Sequence, residues 1–214
     1  MSTGRYSCWS GSAFAKRGQI MSYGADYIQQ LFPETQRIRN GELRSKVVQT
    51  FLTVWKAGNY ARIEDVHQFE PARDRLAYTN VDHTNQVVRL CVKFAEALED
   101  TLKVSVNMDH LLAGALLHDV DKMVIFDAAT GRFTPTGIKC PHGVLGAELA
   151  AQGGLPDEVT HIIGTHSAKY STSRPRSLEA FILRHADQLA CKVTYLAQGL
   201  DDEQVINETA AAAQ

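Results

Sequence analysis

The sequence predicts an all-α fold: a helical bundle preceded by an N-terminal helical extension. Three observations predict it. Apolar residues recur at helical spacing in segment after segment, strand-period alternation is sparse throughout, and 214 residues with 44% hydrophobic content suffice for one sizeable helical domain.

Residues 1–24 read as loosely structured, because Gly4, Gly11, Gly18 and Gly24 punctuate a polar stretch. The extension spans 25–80, with helices expected at 25–32 and 42–57. In the second, Val47, Val48, Phe51, Leu52 and Trp55 keep helical spacing. Segment 66–81, with Pro71 and several charges, reads as a connector. The bundle itself is expected over 81–200. Its first helix carries His83 and the stripe Val87, Val88, Cys91, Phe94, Ala95 and Leu98. Asn107 or Asp109 can cap the next, whose core positions Leu111, Leu112, Ala115 and Leu116 lead to His118-Asp119.

From 123 to 140 the pattern is irregular and turn-rich. Pro141 suits the first turn of a helix that includes His142, and Gly153-Gly154 ends it. Pro156 opens a helix running to about His166, and 167–177 forms a polar loop. A long helix over 178–198 carries Asp187, and 201–214 is a frayed tail.

Composition removes several classes of partner. With 22 Lys+Arg against 24 Asp+Glu there is no basic field for a nucleic-acid polymer. The run Leu111–Leu117 is too short to span a bilayer, and Met1–Ile20 lacks the apolar core of a signal peptide. Cys8, Cys91, Cys140 and Cys191 form no C-x-x-C pair; Cys91 and Cys191 read as small buried hydrophobes. A cytoplasmic protein with no membrane partner is expected. The amphipathic 25–57 region can pack on its own domain or on a second subunit, which leaves a homo-oligomer open.

His118-Asp119 is the most informative dipeptide because of its company: His83 before it, then His142, His166 and Asp187, at gaps of roughly 20 to 35 residues. Such gaps let successive helices each offer ligands to one centre. Asp119 and Asp187 both sit in apolar surroundings, where an ionised carboxylate needs a cation. Imidazole and carboxylate donors suit iron, manganese, zinc or magnesium. His83, His118, Asp119 and Asp187 would hold one metal, and Asp119 would bridge to a second held by His142 and His166. Such a pair, about 3.5–4 Å apart, can generate hydroxide near neutral pH. Lys122, one turn beyond His118, is expected to point the same way and to act with Asp119 on the substrate. Lys122, Lys169, Arg174 and Arg176 are the candidates for holding phosphate. His161 lies on another face from His166 and reads as structural; His67, His110 and His185 have no partner pattern. Asp82 and Asn85 are expected to hydrogen-bond around the ligands.

These residues resemble the HD superfamily of metal-dependent phosphohydrolases, whose pattern runs His … His-Asp … Asp with two further histidines in its bimetallic branches. His118-Asp119-Val120-Asp121-Lys122 is similar to the family's HD-x-x-K segment, and His142-Gly-Val-Leu-Gly-Ala-Glu148 to its H-P-x-x-G-A-E helix start. The likeness covers roughly 80–195. There is no Gly-Tyr-Pro motif and no doubled histidine at 166–167, which disfavours the cyclic-di-nucleotide branch. The resemblance implies hydrolysis of a phosphoester or phosphoanhydride in a small, nucleotide-like molecule. It also admits a mixed-valence di-iron oxygenase cleaving a C–H or C–P bond. A non-catalytic binding module would be expected to have lost ligands, and here every position is filled.

Overall fold

In a computed structural model, which describes residues 24–171 and 173–201, the chain runs through α1 (Ala25–Leu31), α2 (Gly41–Ala57), α3 (Asn80–Leu102), α4 (Met108–Leu117) and α5 (Lys122–Ile125). It continues through α6 (Pro135–Lys139), α7 (Val144–Gln152), α8 (Asp157–Gly164) and α9 (Leu178–Ala197). Residues 1–23, with Cys8 and the expected loose N-terminus, and the tail from 202 lie outside the described residues. No strand forms among the described residues; the only pairings there are isolated bridges, His67 with Thr79 and Phe126 with Phe133.

Every residue from Leu111 to Leu117 is buried. A helix apolar on all sides belongs at the centre of a bundle, and α4 packs there against α2, α3, α8 and α9. Gly114 makes one of these approaches possible: a Cβ at that position would lie 2.4 Å from Ile162 Cγ2 of α8. Asn107 caps α4 by accepting the His110 N–H at 3.1 Å. Asp109 instead accepts the N–H groups of Arg39 and Asn40 at 2.9 and 2.8 Å, tying the start of α2 to α4.

The helices of 25–57 belong to the same hydrophobic core as the rest: Ile28, Phe32, Val47 and Phe51 are contiguous with Leu112, Leu145 and Ile163. Thr79 and Asp82 form a capping box at the start of α3, each accepting the other's backbone N–H. Asp82 is therefore committed to the cap, and Asn85 donates to the Leu31 carbonyl at 2.8 Å. Neither reaches the ligands, contrary to the sequence expectation.

Two boundaries differ from expectation where the site is built. α7 begins at Val144, after Gly143 at φ 79°, so His142 precedes the helix. α8 ends at Gly164, so His166 follows it. No helix among the described residues is long and apolar enough to cross a membrane.

Candidate metal centre

Four helix ends deliver the site. His83 stands in the first turn of α3, His118 and Asp119 at the end of α4, His142 just before α7, and His166 just after α8; Asp187 projects from the middle of α9. After Leu117 the chain tightens into turns, with the Val120 N–H donating to the Leu117 carbonyl at 3.1 Å and the Lys122 N–H to the Asp119 carbonyl at 3.1 Å. Lys122 thus reaches Asp119 from a new short helix rather than along α4, as the sequence suggested.

All six predicted ligands converge, and Asp119 stands between two groups. Its Oδ2 faces His118 Nε2 at 3.3 Å and His83 Nε2 at 3.5 Å. Asp187 Oδ1 completes that side, 3.0 Å from His83 Nε2. Asp119 Oδ1 faces His142 Nε2 at 3.0 Å and His166 Nε2 at 3.8 Å.

The imidazoles are aimed from behind. His118 Nδ1 donates to the Ala115 carbonyl and His166 Nδ1 to the Ile163 carbonyl, both at 2.7 Å. His142 Nδ1 donates to the Asp121 carboxylate at 3.0 Å. With Nδ1 engaged as a donor, each of these three rings, once neutral, presents its Nε2 lone pair to the centre, while the buried His83 Nδ1 has no partner. His83 and His118 then face each other Nε2 to Nε2 at 3.2 Å, and His142 and His166 at 3.3 Å. Ring nitrogens that close need a proton or a metal cation between them, and a purely nitrogen and oxygen donor set fits a divalent or trivalent metal.

Charge states agree with that fit. Burial, the neighbouring His142 and the neighbouring His118 push His166 down to about 4, and burial lowers His83 as well. Both rings are neutral. Burial alone would raise Asp119 and Asp187, but His118 and Lys122 around the first, and His83 beside the second, hold both well below the usual carboxylate range. Burial also disfavours a charged His142, yet the Asp121 and Asp119 carboxylates push it up to about 10, a proton that a metal would replace.

Three polar residues of the site escaped the sequence reading. Asp121, fully buried, accepts both His142 Nδ1–H and the Gly143 N–H at 2.9 Å. Its signal was present, a carboxylate inside an apolar run, the same argument that singled out Asp119. Gln68 Nε2 donates to Asp119 Oδ2 at 3.1 Å, and Asn80 Nδ2 donates to Gln68 Oε1 at 3.0 Å. These had no signal, since the His67–Thr79 bridge alone folds the connector back over the site.

A cavity of about 620 Å³ opens above the ligands. Lys122, Lys169 and Cys191 line it. Cys191 is only half-buried, with its Sγ 3.6 Å from Asp187 Oδ1, so it is a wall residue rather than the buried hydrophobe expected. Arg174 is exposed and does not line the cavity. Arg176 lines a separate groove with His161, whose Nε2 accepts the Arg176 N–H at 3.1 Å.

The HD domain model matches residues 80–191, just over half the chain. The chain belongs to the HD-domain family. Within this HD-domain protein the matched span runs from the first residue of α3 to the turn of α9 after Asp187, and so contains all six predicted ligands. A dihydroneopterin 2′,3′-cyclic phosphate phosphodiesterase of Methanocaldococcus jannaschii is 29% identical over 178 residues, 79% of this chain and 71% of the relative. No solved structure matches the chain.

Proposed function

We propose that this HD-domain protein is a metal-dependent phosphohydrolase that cleaves a phosphoester or phosphoanhydride of a small, nucleotide-like molecule, with a 2′,3′-cyclic phosphodiester as the first candidate. The observation that carries the reading is Asp119, whose two oxygens face two separate histidine groups at the floor of a substrate-sized cavity. His83, His118, Asp119 and Asp187 would hold one metal, and Asp119, His142 and His166 a second, with iron the leading choice. When bound, such metals supply positive charge and an activated water.

The chain's own residues do the rest. Ala115, Ile163 and Asp121 fix the rings of His118, His166 and His142, so the donors need no rearrangement. Lys122 Nζ sits 2.8 Å from Asp119 Oδ2 and 2.9 Å from the Gln68 carbonyl, on the cavity wall, where it holds a cation beside the phosphoryl oxygens. Lys169, at the cavity's edge, adds a second positive charge for an anionic substrate. In the reaction one P–O ester bond breaks, the oxygen of water ends on phosphorus, and its proton ends on the departing oxygen. The cyclic-phosphate chemistry named for the archaeal relative supports hydrolysis over the oxygenase alternative.

The test is ³¹P NMR of iron- or manganese-reconstituted protein incubated with 2′,3′-cyclic and linear nucleotides. Conversion to monoesters that stops on chelation supports the reading. No phosphorus product across the panel, with metal demonstrably bound, refutes it, and substrate-dependent O₂ uptake would transfer the assignment to the oxygenase.

A further inference from the structure

Asp119, His142, His166, Asp187 and Lys122 line the cavity, and the rest of its wall is mainly apolar, with five aromatic rings. Phe69, Phe126, Phe133, Tyr170 and Tyr195 all line it. A phosphate gains nothing from such a surface, because a strongly hydrated anion loses water there without a partner. About 620 Å³ also far exceeds what a phosphate alone fills. The wall therefore has to serve another part of the ligand.

Its construction indicates which part. Phe126 and Phe133 face each other across the isolated bridge, ring centroids 4.6 Å apart. The Asp127 N–H donates to the Arg132 carbonyl at 2.9 Å and the Thr134 N–H to the Ile125 carbonyl at 2.8 Å, so the pair is braced by backbone on both sides. Phe126 is buried behind, and Phe133 stays half-buried and lines the cavity. Tyr170 stands edge-on to the ligand His142, centroids 6.1 Å apart, which brings the aromatic wall directly up to the metal end. Lys169 Nζ lies over one face of the Tyr170 ring, 5.2 Å from its centroid, so a planar partner stacks on the other face with a cation close by. Rigid aromatic faces favour a flat partner, since planar rings stack on them with an energy beyond the area they bury.

We propose that Phe133, braced by Phe126, and Tyr170 form a subsite that stacks the planar heteroaromatic ring of a substrate whose phosphate lies at the Asp119 end. The proposal rests on the phosphohydrolase reading for the position of the phosphate. Phe133 is the specificity-determining residue: it acts on which substrate is held, not on the bond that breaks.

Two substrates with the same five-membered cyclic phosphate separate the two claims: guanosine 2′,3′-cyclic phosphate, which carries a ring, and glycerol 1,2-cyclic phosphate, which does not. Metal-loaded wild-type protein is expected to prefer the guanosine compound by roughly tenfold or more in kcat/KM. Phe133→Ala, and Phe133→Leu as the variant that keeps apolar bulk for folding, are expected to shrink that ratio about tenfold, through KM. Equal kcat/KM for the two compounds in wild type, or a ratio that survives in a folded Phe133→Leu protein, overturns the subsite and leaves the hydrolase reading intact. If neither compound is cleaved, the cyclic phosphodiester is ruled out as the substrate, and the subsite is decided by calorimetric titration with guanosine alone. Saturable binding that Phe133→Leu weakens sustains it, and absence of binding overturns it.

Discussion

His142 Nδ1 lies 3.0 Å from Asp121 Oδ1, and the neighbouring Gly143 N–H donates to the other oxygen of the same carboxylate at 2.9 Å. One buried carboxylate thus sets both the ring and the backbone of the residue pair that opens α7. Asp121→Asn keeps the shape but offers a single acceptor oxygen to two donors. Its expected effect is a loss of roughly 10- to 100-fold in metal affinity. Metal titration followed by elemental analysis reads this directly. Unchanged affinity would remove Asp121 from the site and leave it as a plain helix-start residue.

Lys122 and Asp119 form a buried ion pair at 2.8 Å, and the lysine is only 7% exposed. Breaking such a pair leaves a carboxylate in low dielectric without its cation. Lys122→Met should therefore destabilise the metal-free protein by about 3 kcal/mol. Metal loading should recover most of that loss, because bound cations take over the compensation of Asp119. Activity should still fall, by about a hundredfold in kcat, since the cation beside the phosphoryl oxygens is gone. Denaturant melts with and without metal, together with kcat, check all three statements. An equal destabilisation in both states would mean that Lys122 only packs.

The fold and the six candidate ligands were legible in the sequence for the same reason: both obey local spacing. Val47 to Trp55 and Val87 to Leu98 announce their helices by period, and the six ligands announce themselves by residue type in apolar context. What was hidden depends on non-local geometry. Gln68 reaches Asp119 only because a two-residue bridge folds residues 66–79 back on themselves. Arg176 sits in a polar loop near the site in sequence, yet it faces another groove once Ser177 caps α9 by accepting the Ala180 N–H. The helix carrying His118 stops at Leu117, a tightening that side-chain periodicity does not record.

Gly114 and Ile162 test how closely the bundle is packed around α4. A Cβ at 114 would fall 2.4 Å from Ile162 Cγ2, inside the contact distance of two methyl carbons. Gly114→Ala should destabilise by about 1–3 kcal/mol through overpacking, despite alanine's better helix propensity. Ile162→Ala removes the obstructing group but leaves a cavity. In the double variant the new methyl enters that cavity, so its loss of stability should be smaller than the sum of the single losses. Additive losses in equilibrium denaturation would show that α4 and α8 move apart instead.

Gly143 and Gly154 share a positive φ but not a neighbourhood, and this gives a test of how the metal centre depends on its loop. Both have positive φ, 79° and 76°. An alanine at either should incur backbone strain of at least about 1 kcal/mol, the larger at 143, where ψ is −39°. At 154 the added Cβ meets only the flexible end of Lys46, 3.6 Å away. At 143 it would lie 2.9 Å from His166 Cε1, on the ring that faces Asp119 and His142. His166 is pinned from behind by its Nδ1 bond to the Ile163 carbonyl, so it has to tilt rather than slide. Gly143→Ala should thus lower both stability and metal affinity, the second by at least tenfold, whereas Gly154→Ala should lower stability alone. Thermal melts paired with metal titration of the two variants separate strain from misplacement of His166. Equal metal affinity in both would mean that the ring accommodates the methyl and that its placement is less constrained than its contacts imply.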